Sequence, residues 1–280
     1  CIANRRILGR KRSILISIKG EKHMKTFGRV LTAMITSFNE DGSVNIENTV
    51  AIAEHLLNHG SDGLVVCGTT GENPTMSRES KIALFKAIAK ACGDKGTIIA
   101  NVGSNDTKGS VDFVKEVSTI PGIDGLLVVV PYYNKPNQQG QYLHFKSIAE
   151  ATTLPIMVYN VPGRVGTGIF PATLARLHKE YPHICAIKEA SGNLMIASEI
   201  KRLMPGEDFM VYSGDDGLTL PILSVGGTGV ISVVSHVAGQ DMNDMIAAFE
   251  EGNNQKATQL HQKLAEIIKA MFITTNPIPV

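Results

Sequence analysis

Hydrophobic and polar positions follow two rhythms along this chain. Short apolar runs of four to seven residues occur at 30–36, 63–67, 98–102, 125–130, 156–159, 184–188, 209–212 and 229–234. Runs this short, rich in Val and Ile, predict buried strands. Between them apolar residues recur with helical period over 46–59, 77–91, 141–151 and 194–204, and the last helices are expected over 240–272. Strands alternating with helices predict a parallel sheet. Eight such units predict an α/β fold of the closed (β/α)8 barrel type rather than a doubly wound sheet, and no G-x-G-x-x-G follows the first run. The barrel is expected over 24–235 with a C-terminal helical region over 236–280, and residues 1–23 are expected to lie outside the fold.

Length and composition agree with one large core. A barrel of this kind takes about 250 residues, and the chain has 280, of which 43% are hydrophobic, 27 are glycine and none is tryptophan. The net charge of +1 conceals an asymmetry: residues 1–23 hold seven Lys/Arg against the single acid Glu21, leaving 20 basic against 25 acidic residues elsewhere. That basic, acid-poor leader fits either a transit peptide or sequence upstream of a start at Met24. The remainder has no basic stripe for nucleic acid, and no uncharged apolar run is long enough to span a membrane. Cys1, Cys67, Cys92 and Cys185 form no C-x-x-C pair, and two of them lie inside apolar runs. They read as small hydrophobes in a reducing, cytoplasmic setting. His55 and His59 share a helix face at i, i+4 spacing, but without H-E-x-x-H or an obvious third ligand they are expected to be surface residues and not a metal pair.

Lys188 carries the most chemical information, because it ends the apolar run Ile184-Cys185-Ala186-Ile187. An ammonium so placed must be paired or shed its water, and a neutral amine can attack a carbonyl to give a Schiff base. Barrel enzymes keep their catalytic groups at the carboxyl ends of the strands, on one rim. Four clusters fall there: Gly68-Thr69-Thr70-Gly71-Glu72, Pro131-Tyr132-Tyr133-Asn134, Tyr159-Asn160-Val161-Pro162-Gly163-Arg164 and Lys188-Glu189. Gly226-Gly227-Thr228-Gly229 instead precedes a strand and predicts a tight turn on the opposite rim. Ser213-Gly214-Asp215-Asp216 brings two carboxylates to the usual phosphate position of barrels, so an unphosphorylated substrate is expected.

Each rim cluster has a use beside an amine nucleophile. Gly68 and Gly71 permit positive φ or close approach, and successive amides there would make a nest for a small carboxylate such as that of a 2-oxo acid, helped by Thr69 or Thr70. Tyr159 can pass protons to and from a carbinolamine, with Thr69 and Tyr133 extending the relay, since an ordinary phenol titrates at about 10. Arg164 offers a bidentate fork to a carboxylate. Ordinary alternatives stand beside these roles: a solvated lysine at a strand end, a simple turn at 68–72, a surface arginine.

Taken together, GTTGE (68–72), PYYNKP (131–136), YNVPGR (159–164), IKEASGN (187–193), SGDD (213–216), GVISV (229–233) and NPIPV (276–280) resemble the dihydrodipicolinate synthase family of pyruvate-dependent class I aldolases. The resemblance implies condensation of pyruvate with L-aspartate 4-semialdehyde, a step in diaminopimelate and lysine biosynthesis, through a Schiff base on Lys188. It implies Tyr159, Thr69 and Tyr133 as the proton relay, Thr70, Gly214 and the Ile231 backbone as substrate-binding groups, and Arg164 as the ligand of the semialdehyde carboxylate. It calls for no cofactor or metal. Tyr133 would reach a neighbouring subunit's site, so the active unit is expected to be a homo-oligomer, commonly a dimer of dimers. Where relatives bind inhibitory lysine, the matching positions here are Arg78, Lys81 and Gly109, and weak or absent lysine feedback is expected. Two alternatives are a sister aldolase cleaving a 2-oxo-3-deoxy sugar acid or N-acetylneuraminate, and a silent barrel acting as a binding or regulatory subunit. The family continues beyond NPIPV with further helices and this chain begins at Cys1, so it is expected to be a piece lacking both ends.

Overall fold

A computed structural model describes residues 27–206 and 208–280. The leader expected before Met24 lies outside the described residues. Eight parallel strands close into a barrel in chain order: β1 (Val30–Ala33), β2 (Gly63–Val66), β3 (Thr97–Asn101), β4 (Gly125–Val129), β5 (Ile156–Asn160), β6 (Ile184–Glu189), β7 (Met210–Ser213) and β8 (Gly229–Ser232). The seam is the β1–β8 pairing, with Leu31 opposite Ile231. All eight expected strands are present, and the barrel is a (β/α)8 barrel followed by further helix. The first is shorter than its apolar run, because the amide of Ile35 leaves the ladder and donates to Nε2 of His236 at 3.2 Å.

The outer layer comprises α1 (Ile46–Asn58), α2 (Arg78–Cys92), α3 (Thr107–Val117), α4 (Gln138–Ala149), α5 (Pro162–Val165), α6 (Pro171–Glu180), α7 (Leu194–Leu203), α8 (Thr219–Ser224), α9 (Ser235–Glu250) and α10 (Asn254–Met271). Short polar side chains start most of the long ones: Asn45, Ser77, Asp106, Asn137, Asn193 and Asn253 each accept an amide of the first turn. Such caps satisfy amides that have no partner within the helix. Met242, Met245 and Ile246 of α9 pack with Val30 and Val230, so this helix covers the seam, and Leu264 of α10 joins the same cluster. The interval 226–229 is the tight turn its glycines predict, with Gly226 at φ +93° and the amides of Gly227 and Thr228 bonded to Ile222 and Val211 carbonyls.

One irregularity matters for the site. Ile156 pairs with Ile184, but the next pair is Met157 with Ala186, so Cys185 is an extra residue on β6. A bulge moves everything beyond it by one position and turns successive side chains to the opposite face. Because of it Lys188 stands level with Tyr159 and Glu189 level with Asn160. Without it Ile187 would face Tyr159.

Candidate active site

All six residues of β6 are buried, including the two charged ones. Lys188 is 7% exposed, and no carboxylate among the described residues pairs with it. Its Nζ instead lies 4.5 Å from the centre of the Tyr159 ring, whose electron-rich face attracts a cation. On the other flank is Gly214, where an added Cβ would come 3.1 Å from both Cγ and Cε of Lys188. The lysine is therefore held between a ring from β5 and bare backbone after β7.

Glu189 faces the other way and ties the strand ends together. Its Oε2 accepts from Nδ2 of Asn160 at 2.7 Å and its Oε1 from the Ser191 amide at 2.7 Å. Burial pushes this carboxyl above its usual range, against those donors, which favour the ion. Oδ1 of Asn160 in turn accepts from the Ile169 amide at 3.2 Å, fixing the far end of the loop that carries Arg164. In the sequence Asn160 and Glu189 are marked only by their adjacency to Tyr159 and Lys188.

The loop after β2 departs from expectation in its backbone. Neither Gly68 nor Gly71 takes positive φ; the left-handed residues are Cys67 (φ +54°) and Glu72 (φ +58°). Gly71 is needed for space, since a Cβ there would meet the Met34 carbonyl at 3.0 Å and Thr36 Oγ1 at 3.1 Å. The amides of Gly71 and Asn73 bond back to the Gly68 carbonyl, and that of Glu72 to Thr69. The turn thus consumes two amides of the expected nest, those of Gly71 and Glu72, leaving those of Thr69 and Thr70 outside it. Nδ2 of Asn101 holds the strained end of β2 by donating to the Cys67 carbonyl at 2.8 Å. Thr70 is buried and its hydroxyl accepts from Nδ2 of Asn276 at 2.8 Å.

Arg164 sits on α5 at the surface, with Nη2 donating to the Asn276 carbonyl at 3.2 Å. Asn276 belongs to the segment after α10, so the chain's later part crosses the rim between Thr70 and Arg164. Ile231 is buried one residue from the end of β8, on the same rim. Tyr133 is different: it is 89% exposed, at φ +68°, and no hydrogen bond within this chain joins it to Thr69 or Tyr159. On this rim Lys188 lies against Tyr159 and Gly214 and Thr70 and Arg164 are joined through Asn276, while Thr69 is partly buried and Tyr133 is exposed.

The carboxylates of SGDD do not act as a pair. Asp215 is exposed, whereas Asp216 is buried and accepts from Ser232 Oγ and from the amides of Val233 at 3.0 Å and Val234 at 3.4 Å. Those amides follow the eighth strand, where many barrels hold phosphate. Here the protein's own carboxylate occupies them, although burial raises its pKa. His55 and His59 are exposed and stacked, with ring centres 4.0 Å apart, and Cys67, Cys92 and Cys185 are buried free thiols. At the positions expected from the resemblance to match a lysine effector site, Arg78 is bonded to Glu116 at 2.7 Å. Gly109 there lies in the first turn of α3, where a Cβ would press on the capping Asp106.

Comparison with known proteins agrees with this geometry. The chain is 53% identical over 254 residues to the 4-hydroxy-tetrahydrodipicolinate synthase of Moorella thermoacetica, covering 91% of this chain and 86% of that protein. Its fold matches the crystal structure of the Cyanidioschyzon merolae dihydrodipicolinate synthase with lysine bound at a TM-score of 0.88 and 44% identity, covering 90% of this chain and 86% of that one. It also matches the chloride-inhibited enzyme of Acinetobacter baumannii complexed with pyruvate, at a TM-score of 0.86 and 35% identity over 91% of this chain and 86% of that one. The family model described as the dihydrodipicolinate synthetase family matches residues 26–280, and with a buried lysine at the end of its sixth strand the chain belongs to that family.

Proposed function

We propose that this protein is a 4-hydroxy-tetrahydrodipicolinate synthase, joining pyruvate to L-aspartate 4-semialdehyde through an imine on Lys188. The observation that carries this is the buried, carboxylate-free Lys188 held against Tyr159. The amine of Lys188 adds to C2 of pyruvate, and the carbinolamine loses water to give the imine. Loss of a C3 proton gives the enamine, whose C3 attacks the aldehyde carbon of the semialdehyde. The semialdehyde's own amine then attacks C2, closing the ring and releasing Lys188.

Tyr159 delivers and removes protons at the carbinolamine, since its ring lies 4.5 Å from the amine, whereas Tyr212, equally level with Lys188 on β7, spends its hydroxyl on the Gly28 carbonyl at 2.8 Å. Thr69 and a Tyr133 supplied by another copy complete the relay. Thr70 and the Ile231 backbone hold pyruvate, and Gly214 keeps the space beside the amine open. Arg164 has donors beyond the one spent on Asn276 and takes the semialdehyde carboxylate. The occupation of the amides after β8 by Asp216 favours substrates without phosphate. A cytoplasmic biosynthetic role belongs to the same reading; among the described residues no helix is long and apolar enough to cross a membrane.

Pyruvate followed by borohydride should reduce an imine irreversibly onto Lys188, read by peptide mass spectrometry. An adduct elsewhere, or none on the folded protein, removes the mechanism. Arg164→Ala should leave this adduct intact and lower kcat/KM for the semialdehyde about 30- to 1000-fold, the equivalent of a charged hydrogen bond worth roughly 2–4 kcal/mol. An unchanged semialdehyde rate would favour sugar-acid cleavage.

A further inference from the structure

Thr70 and Arg164 lie on the loops after β2 and β5, and Asn276 is bonded to both. Its Nδ2 donates to Thr70 Oγ1 at 2.8 Å, and its main-chain carbonyl accepts from Arg164 Nη2 at 3.2 Å. Asn276 is 8% exposed, and its Oδ1 has no partner among the described residues. A buried acceptor without a donor is costly and rare, and its retention calls for a use.

We infer that Asn276 is a positioning residue that makes Thr70 and Arg164 one unit, so that the two substrates' binding groups are set together. This rests on the function proposed above. A threonine hydroxyl has one proton and two lone pairs. Because the carboxamide of Asn276 donates, Thr70 must accept there, and its single proton is left for an anionic ligand such as the pyruvate carboxylate. On the other side the carbonyl engages one of five guanidinium donors, fixing the plane of the fork while leaving the rest for a second carboxylate. Displacing either partner therefore disturbs the other through one residue.

Two variants separate this role from mere support. Asn276→Asp keeps the shape but only accepts, so it captures the Thr70 proton; the KM for pyruvate should rise about tenfold, the worth of one hydrogen bond, with kcat changed by less than about threefold. Asn276→Ala should raise the KM of both substrates. Thr70→Val, a change on the pyruvate side, should raise the semialdehyde KM in the parent protein and raise it no further in the Asn276→Ala background. An unchanged pyruvate KM in a folded Asn276→Asp protein, or additive effects in the double variant, overturns the inference. If neither Asn276 variant folds by circular dichroism, an unchanged semialdehyde KM in Thr70→Val alone does so. Failure of the underlying function would look different, because the parent would then give no borohydride-trapped pyruvate on Lys188.

Discussion

A methyl group added at Gly214 would stand 3.1 Å from Cγ and Cε of Lys188 and 2.6 Å from Cβ of Ala190. The lysine stem can yield a few tenths of an ångström but the Ala190 methyl cannot, so Gly214→Ala should shift the backbone after β7 and, with it, the seat of the amine. A misplacement of about 1 Å can cost on the order of 100-fold in rate, and overpacking costs about 1–3 kcal/mol of stability. We expect single-turnover imine trapping at saturating pyruvate to slow by about that factor in a protein that still melts cooperatively; an effect confined to KM would show that Gly214 acts on the ligand instead. Residue by residue, the site was unevenly legible. Lys188 stands out through the company it keeps, since a solvated lysine at a strand end is the ordinary reading of that residue alone, and Tyr159 and Arg164 share a turn that carries the family resemblance. Asn276 does not stand out, because its partners Thr70 and Arg164 lie 206 and 112 residues earlier and no local pattern marks the contact.

Elements were more legible than residues, since period and length alone separate the eight strands from the helices between them. Two features escape that logic. The first strand ends early because a distant His236 takes the Ile35 amide. The bulge at Cys185 is silent in sequence, yet it decides which side chain faces Tyr159. Helices α3 and α4 show what burial does to a clasp between elements. His144 of α4 bonds to Thr107 Oγ1 at 2.8 Å while its Nε2 has no partner among the described residues. Burial lowers its pKa from 6.5 to about 4, with the Asp106 charge opposing. A folded state that refuses this proton is favoured above pH 6.5 and loses that advantage as pH falls towards 4, on the order of 3 kcal/mol in all. His236, also lowered by burial, acts in the same direction. The raised carboxyls of Glu189 and Asp216 act oppositely, favouring the fold at low pH and losing that contribution as pH rises. Because these contributions oppose one another, the reading is the difference: in urea titrations between pH 7.5 and 4 the parent should lose more stability on acidification than His144→Gln, and identical slopes would mean that His144 takes up its proton without opening the clasp.

For the molecule as a whole, the exposed Tyr133 is the informative feature. A phenol that is 89% exposed on a left-handed backbone is poorly placed to serve its own Lys188, so the relay is expected to be completed across a subunit boundary. Lys188→Ala and Tyr133→Phe proteins, each nearly inactive, should regain activity when mixed and allowed to exchange subunits, because one hybrid site then holds both groups. No recovery from subunits shown to exchange would place Tyr133 outside the relay. The crossing of the rim by Asn276 has a consequence of another kind, in the order in which the molecule is made. Lys188 is synthesised 88 residues before Asn276, an interval of roughly 4–18 s at about 5–20 residues per second. During that time the emerging chain owns a nucleophile but not the residue that aligns Thr70 with Arg164. Chemistry on the two substrates is thereby deferred until the late part of the chain has been delivered and folded back over the rim, so a ribosome that stops early releases an amine without a working enzyme around it.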